Sequence, residues 1–155
     1  MTDYGRELMF GWFADPSAPP AELLAAARVA DAAGLDLIGV QDHPYNSGHL
    51  DTWTLLSALG AVTSRVTVFP DVANLPLRGA AMQAKAAASL SLITGGRVAL
   101  GLGAGSFWDA IVAMGGERRT PGESVQALEE AIDVTWLWWS GQRAVSYAGS
   151  FASVR

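Results

Sequence analysis

An aspartate and a histidine stand side by side, Asp42 and His43, directly after the short apolar segment Leu37–Val40. A histidine can hold or release a proton near neutral pH, and a neighbouring carboxylate can fix which ring nitrogen carries that proton. If the apolar segment is a β-strand, both side chains lie at its carboxyl end, where parallel α/β proteins place their functional groups. We therefore predict that His43 and Asp42 are catalytic. The alternative is a loop histidine that only closes a strand end.

Two other apolar segments, residues 66–69 and 98–103, are also followed by residues suited to a binding site. Parallel strands end at the same edge of a sheet, so these residues should converge with His43 in one pocket. Glycines inside and after the later segment indicate a close approach by a ligand or by another part of the chain. The predicted pocket residues are Asp71, Val72, Ala73, Asn74, Ala104, Gly105, Ser106 and Asp109.

Other chemistries fit the sequence less well. Asp42, His43, His49 and Asp51 are close in sequence and allow a metal-dependent barrel hydrolase as an alternative, but their spacing matches no standard ligand motif. Asp51 is better placed as a helix N-cap, so we predict no metal site. Residues 101–105 lack the GxGxxG spacing of a dinucleotide site, and the chain has no GxxxxGK[ST] motif for phosphate binding. With no cysteine, thiolate catalysis and zinc–cysteine sites are excluded.

Strands and helices must alternate to position these loops. Strand starts lie roughly 30 residues apart, the length of one strand–helix unit. The strands read as continuous apolar runs, which favours a parallel sheet covered on both faces. This pattern predicts an α/β fold, either a doubly wound sheet or part of a TIM barrel, in a single domain over residues 1–155. The predicted strands are 8–13, 37–40, 66–69 and 98–103, the predicted helices are 21–33, 51–63, 79–94 and 121–139, and a short hairpin or edge strand follows at 144–155.

Composition narrows the possible partners. The chain of 155 residues has a formal net charge of −5 and one lysine, Lys85, so it offers no basic surface for nucleic acid. It has no basic amphipathic helix and no apolar run long enough to cross a bilayer. Residues 1–6 are polar and no signal peptide follows them, so we expect a cytoplasmic protein without membrane contact.

The order of several short motifs resembles the luciferase-like monooxygenase family, which uses FMN or coenzyme F420 on a TIM barrel. No single motif is decisive, but their order and spacing together are specific. They cover most of the chain. The matching segments are residues 32–36, Gln41-Asp42-His43, the turn at 72–78, Lys85, residues 92–97, the glycine-rich segment 100–105, the helix 121–139 and the tail 145–149.

The resemblance implies a partial (half) TIM barrel of about four parallel βα units, since a full barrel needs roughly 200 residues or more. It implies an oxidoreductase or monooxygenase with His43 near a flavin or deazaflavin ring, and Asp42-His43 favours F420 over FMN. It also implies a non-proline cis peptide within residues 71–73 with Asn74 close by, and residues 104–109 lining the cofactor. Sugar-phosphate-oxidising members carry an acidic residue where this chain has Ser106, which argues against that substrate class.

Two hypotheses follow for a chain that ends before a fifth strand. In the first, the chain is part of an enzyme that acts on a small-molecule substrate, either within a longer polypeptide or as paired half-barrels. In the second, it is a non-catalytic half-barrel that self-associates. The open edges of a parallel sheet have unpaired backbone groups that can pair with another chain. Trp136, Trp138 and Trp139 cannot all face one side of their helix, so some need a partner elsewhere. We therefore expect a homo-oligomer.

Overall fold

The computed structural model describes residue 5 and residues 7–155, so the polar segment 1–6 lies almost entirely outside the described residues. Strands and helices alternate along the chain as predicted. The strands are β1 (Gly11–Ala14), β2 (Leu37–Val40), β3 (Thr67–Pro70), β4 (Ala73–Asn74), β5 (Leu102–Gly103), β6 (Tyr147–Ala148) and β7 (Ser153–Val154). The helices are α1 (Pro20–Ala32), α2 (Thr52–Ala61), α3 (Ala80–Thr94), α4 (Trp108–Ala113) and α5 (Pro121–Trp139).

The main sheet is parallel. β1 pairs with β2 and β2 pairs with β3, with Gly11 opposite Leu37 and Leu37 opposite Thr67. A single parallel bridge, Val68 to Val98, extends the sheet to the fourth apolar segment. Farther on, β4 and β5 form a second parallel pair. The predicted parallel α/β fold is therefore confirmed, and the strands of the described residues do not close into a barrel.

Branched apolar side chains account for the central strands. Ile38, Val40, Val66 and Val68 are fully buried, and such side chains favour the extended backbone of a covered sheet. Helices α1, α2 and α3 cover this sheet with leucine and alanine side chains, among them Leu56. The core therefore lies between the sheet and the helices, and the loops at the carboxyl ends of the strands are left for function.

Local sequence signals set the ends of the helices. The Asp51 side chain accepts a hydrogen bond from the main-chain N–H of Thr54 and caps α2. Thr120 and Glu123 form a reciprocal capping box at the start of α5. Gly95, with φ of 69°, ends α3 in the left-handed conformation that glycine adopts without strain. These predicted helix boundaries are confirmed.

Two predicted strands differ from the structure. The first begins at Gly11 rather than residue 8, and Leu8 is 81% exposed. The fourth, predicted over residues 98–103, is reduced to the bridge at Val98 and the two-residue β5. Its middle carries Gly101, which passes close to the carbonyl oxygen of Pro70. The regular ladder is interrupted at this glycine, whose missing side chain allows the close approach. Helix α4 was not predicted.

Two buried carboxylates fasten loops to helices. Asp31 of α1 accepts hydrogen bonds from the main-chain N–H groups of Ser64, Arg65 and Val66 at 2.8 Å each. Burial raises the pKa of Asp31, but these hydrogen bonds outweigh it and lower the pKa to about 2. Glu130 of α5 accepts from the main-chain N–H groups of residues 150–152 in the same way and holds the hairpin β6–β7. The approach to β3 and the terminal hairpin are thereby tied to the helical layer.

The three tryptophans at the end of α5 face different surroundings, as predicted. Trp139 donates from Nε1 to the carbonyl oxygen of Ala84 on α3 at 3.0 Å, whereas Trp136 is 66% exposed. Trp138 lines an apolar cleft beside α3.

Within the described residues, no helix combines the length and the apolar character that a bilayer crossing requires.

Candidate functional site

A cleft of about 300 Å³ opens at the carboxyl ends of the parallel strands. Three loops form it: the loop after β2, the bend between β3 and β4, and the segment after β5. The structure thus brings together the three loops whose residues were predicted to converge. The lining residues are Asp42, His43, Tyr45, Asp71, Val72, Ala73, Asn74, Gly103, Ala104, Gly105, Ser106 and Phe107.

Of the ten predicted site residues, Asp109 alone does not line this cleft. Its side chain is 97% exposed and forms an ion pair with Arg118. The reason is α4, which begins at Trp108 and turns residue 109 toward solvent in its first turn. The prediction that Asp109 contacts a cofactor therefore finds no support in its position.

His43 stands among aromatic rings. Its ring stacks on Tyr45 with centroids 5.4 Å apart, lies 6.2 Å from the ring of His49, and meets the edge of Phe107 at 5.4 Å. The described residues provide no hydrogen bond to the His43 ring, so its nitrogens are available to a ligand in the cleft. Tyr45 was not predicted as a site residue, and Phe107 was expected only as part of the segment 104–109 that lines the cofactor in the family.

Asp42 does not orient His43, contrary to the prediction that it acts as the histidine's partner. Its fully buried carboxylate accepts two hydrogen bonds from Arg78, Nε to Oδ2 and Nη2 to Oδ1, each at 2.9 Å. Oδ2 also accepts the main-chain N–H of Asn74 at 2.8 Å. A two-pronged pairing with a guanidinium is geometrically specific. Asp42 is therefore a positioning residue that ties the histidine loop to the loop after β4.

Arg78 extends this network to α2. Its Nη2 also donates to Asp51 Oδ2 at 2.5 Å, so one guanidinium joins the buried Asp42 and the helix cap. Burial raises the pKa of Asp51, but hydrogen bonds from Arg78 and Thr54 outweigh that effect and lower it. Both Asp51 oxygens are thus engaged within the protein. No cluster of three or more metal-ligating side chains occurs among the residues that the structure describes.

The floor of the cleft depends on a close approach between two chain segments. The expected non-proline cis peptide joins Asp71 to Val72, and the Val72 side chain is 44% exposed. A Cβ on Gly103 would lie 2.5 Å from Val72 Cγ2, and one on Gly101 would lie 2.6 Å from the carbonyl oxygen of Pro70. The glycine-rich segment is therefore needed for contact with another part of the chain, one of the two explanations that the sequence left open.

One buried polar atom in the cleft lacks a partner. Asn74 is 7% exposed, and its Oδ1 has no hydrogen-bond partner among the described residues. A buried acceptor without a donor is costly, so a donor from a ligand suits this position. With the apolar Val72 and the ring of His43 on the same cleft, the residues present fit a flat heterocycle with N–H groups, such as a flavin or deazaflavin ring.

Comparison with known proteins is consistent with this geometry. The sequence profile of the luciferase-like monooxygenases matches residues 8–155. An F420-dependent glucose-6-phosphate dehydrogenase of Microbacterium testaceum is 34% identical over 142 residues, covering 88% of this chain and 42% of that protein.

Solved structures share the fold. The coenzyme F420-dependent tetrahydromethanopterin reductase of Methanopyrus kandleri superposes with a TM-score of 0.81 at 22% identity, covering 97% of this chain and 45% of that one. A type II Baeyer–Villiger monooxygenase from Pseudomonas putida, in complex with FMN, gives 0.77 at 21% identity, covering 94% and 42%. The chain spans less than half the length of these three proteins.

Proposed function

The chain belongs to the luciferase-like monooxygenase family, and on that premise we propose that it forms the ring-binding, proton-handling part of an oxidoreductase that uses F420 or FMN on a small organic molecule. The observation that carries the proposal is the cleft that both Asn74, whose Oδ1 has no hydrogen-bond partner among the described residues, and His43 line. When bound, the cofactor ring supplies hydride transfer or, as a reduced flavin, oxygen activation.

The protein's own residues have separate tasks in this proposal. Asn74 would accept a hydrogen bond from an N–H group of a bound ring, and Val72 would supply an apolar contact to it. His43 holds or releases a proton on the substrate side, where an oxygen changes its protonation during oxidation or reduction. Asp42 and Arg78 do not touch the reactants, but their pairing keeps the two loops at the spacing that the ring requires.

F420 is the cofactor we favour over FMN. The relative with 34% identity is named as F420-dependent, whereas the FMN complex shares 21% identity and supports only the fold. The Asp42-His43 pair, which resembles that of deazaflavin members, favours the same choice. Ser106 on the cleft lacks the charge of an acidic residue, so we propose a substrate other than a sugar phosphate.

Fluorescence titration of the purified chain with F420, and separately with FMN, tests the site. We expect saturable F420 binding, weakened about tenfold in Asn74→Ala because a hydrogen bond in a buried position is lost. His43→Ala should bind F420 within a few-fold of wild type but lower turnover of a reactive alcohol by about 10²–10⁴-fold. His49→Ala is the matched control on the same loop and should change neither. Absence of binding by either cofactor would refute the proposed site.

We further propose that residues 1–155 are a single domain equivalent to half of a (β/α)₈ barrel. Three observations support this: the shorter span relative to the family's solved structures, the open edges of the sheet, and an apolar cleft of about 680 Å³ between α3 and the end of α5, lined by Leu92 and Trp138 among others. In this 155-residue chain we propose that a second copy covers the exposed surface.

Light scattering at micromolar concentration tests this assembly. Wild type should be a dimer or larger, and Trp138→Glu should shift it toward the monomer because a charge cannot be buried in an apolar interface without a partner. Val29→Glu replaces an exposed apolar residue of α1 that does not line the cleft and should leave the mass unchanged. A monomeric wild type would contradict self-association and would leave the cofactor titration as a separate result.

A further inference from the structure

A second cleft of about 330 Å³ lies beside the candidate site. Strand β4 contributes Asn74 to the first cleft, and the loop that follows it contributes residues 75–77 to the second. The beginning of α3, the middle of α5 and the hairpin β6–β7 form its other walls. Nothing in the proposed cofactor site uses this space.

Arg119 is the cationic residue of the second cleft. Its Nε and Nη1 are buried, and neither has a hydrogen-bond partner among the described residues. The guanidinium lies over the ring of Phe151, with Cζ 5.2 Å from the ring centroid. This stacking supports the flat face of the guanidinium but accepts none of its N–H groups. Burial of donors without acceptors is unfavourable, and more so for a charged group, so an acceptor is expected there.

Among the described residues, the two nearby carboxylates do not supply that acceptor. Glu123 is the nearest candidate. Hydrogen bonds from Thr120 lower the pKa of Glu123, and the charge of Arg119 lowers it by a smaller amount. Glu123 nevertheless uses Oε2 to accept the main-chain N–H of Thr120 at 2.7 Å, and the described residues show no ion pair between it and Arg119. The carboxylate of Glu130 is likewise committed to the hairpin.

The remaining surface selects the kind of anion. Part of it is apolar, with Leu75, Ala131, Val134 and Val154 among the lining residues. The first turn of α3, Ala80–Met82, also lines the cleft, and no side chain caps that helix. One guanidinium without a second cation on the described lining suits a single negative charge, and the apolar wall suits a hydrocarbon or aromatic body.

We propose that this cleft binds a small organic monocarboxylate. Its carboxylate accepts a hydrogen bond from one of the two unpartnered donors of Arg119, Nε–H or Nη1, and is held by the charge of the guanidinium. Its apolar body packs between α3, α5 and the hairpin. Because the loop after β4 begins directly after Asn74, occupation of the second cleft would support the position of Asn74 in the first.

Isothermal titration calorimetry with phenylacetate tests the proposal, with phenylacetamide as the neutral isostere and inorganic phosphate as the anion without an apolar body. Wild type should bind phenylacetate saturably and the other two at least tenfold more weakly. Arg119→Met should weaken phenylacetate binding at least tenfold. Arg118→Met is the matched control, because Arg118 is the exposed neighbour that pairs with Asp109, and it should bind as wild type does.

Several outcomes would overturn the inference. These are no phenylacetate binding, equal binding of phenylacetamide, or unchanged binding in Arg119→Met. Equal or tighter phosphate binding that depends on Arg119 would replace the monocarboxylate with an inorganic anion. If circular dichroism shows that Arg119→Met is unfolded, Arg119→Lys decides the question. Lysine keeps the positive charge but has neither the Nε–H nor the Nη1 donor of arginine, so wild-type affinity in that variant would also refute the proposed contact.

Discussion

Replacing Asp42 with asparagine should lower the free energy of unfolding by about 2–3 kcal/mol. The carboxylate accepts three hydrogen bonds, two from Arg78 and one from the main-chain N–H of Asn74. Asparagine keeps one acceptor oxygen but turns an NH₂ group toward donors, so at least one charge-assisted hydrogen bond, worth about 1.5–3 kcal/mol, is lost. The full penalty for breaking a buried ion pair, about 3–5 kcal/mol, is not reached because Arg78 is 22% exposed and keeps Asp51.

Urea titration followed by circular dichroism measures this loss directly. For a chain of this size it corresponds to a fall of about 5–10 °C in melting temperature. Asp109→Asn is the matched control: it also removes a carboxylate from an arginine, but the Asp109 side chain is 97% exposed, and no measurable change is expected. A midpoint for Asp42→Asn that matches the control would refute the view that this pairing holds the two loops together.

Three further predictions concern other parts of the fold. The lowered pKa of Asp31 adds stability that is present above pH 3.8 and is lost as pH falls toward 2; acid melting should therefore be steeper for wild type than for Asp31→Asn, and identical slopes would contradict it. Gly105 has φ of 101°, and an added Cβ would lie 2.7 Å from Pro76. Gly105→Ala should therefore lower the melting temperature. Gly79→Ala is the control, because an added Cβ there meets open space, and it should leave the melting temperature unchanged. Glu130→Gln should speed amide exchange at residues 150–152, whose N–H groups the carboxylate accepts; unchanged exchange would show that the hairpin does not depend on it.

The features that sequence predicted well depend on neighbouring residues. The cap at Asp51 and the capping box of Thr120 and Glu123 each involve residues three apart. The apolar run Leu37–Val40 is a strand with the predicted bounds. Convergence of three loops followed from the parallel sheet alone, because such a sheet places all its carboxyl ends at one edge. This placed nine of the ten proposed residues on one cleft.

The features that sequence missed depend on distant contacts. Asp42 and Arg78 are 36 residues apart, and proximity in sequence pointed to His43 as the partner instead. The fourth strand was predicted as continuous because its residues are apolar, but the ladder is interrupted around Gly101, which approaches Pro70 closely. Arg119 gave no signal either, since an arginine after Arg118 reads as an exposed loop residue until the hairpin is placed over it.

Main-chain hydrogen bonds hold the bend beneath the candidate site. Asp71 donates to the carbonyl oxygen of Val40, Ala73 to that of Gly101, and Leu75 to that of Gly103. None of these three hydrogen bonds uses the side chain of Val72, which lines the cleft. Substitutions at position 72 can therefore change which molecular shape the cleft recognises, while the glycines opposite it stay the same. Directed evolution of ligand preference has its natural starting point there.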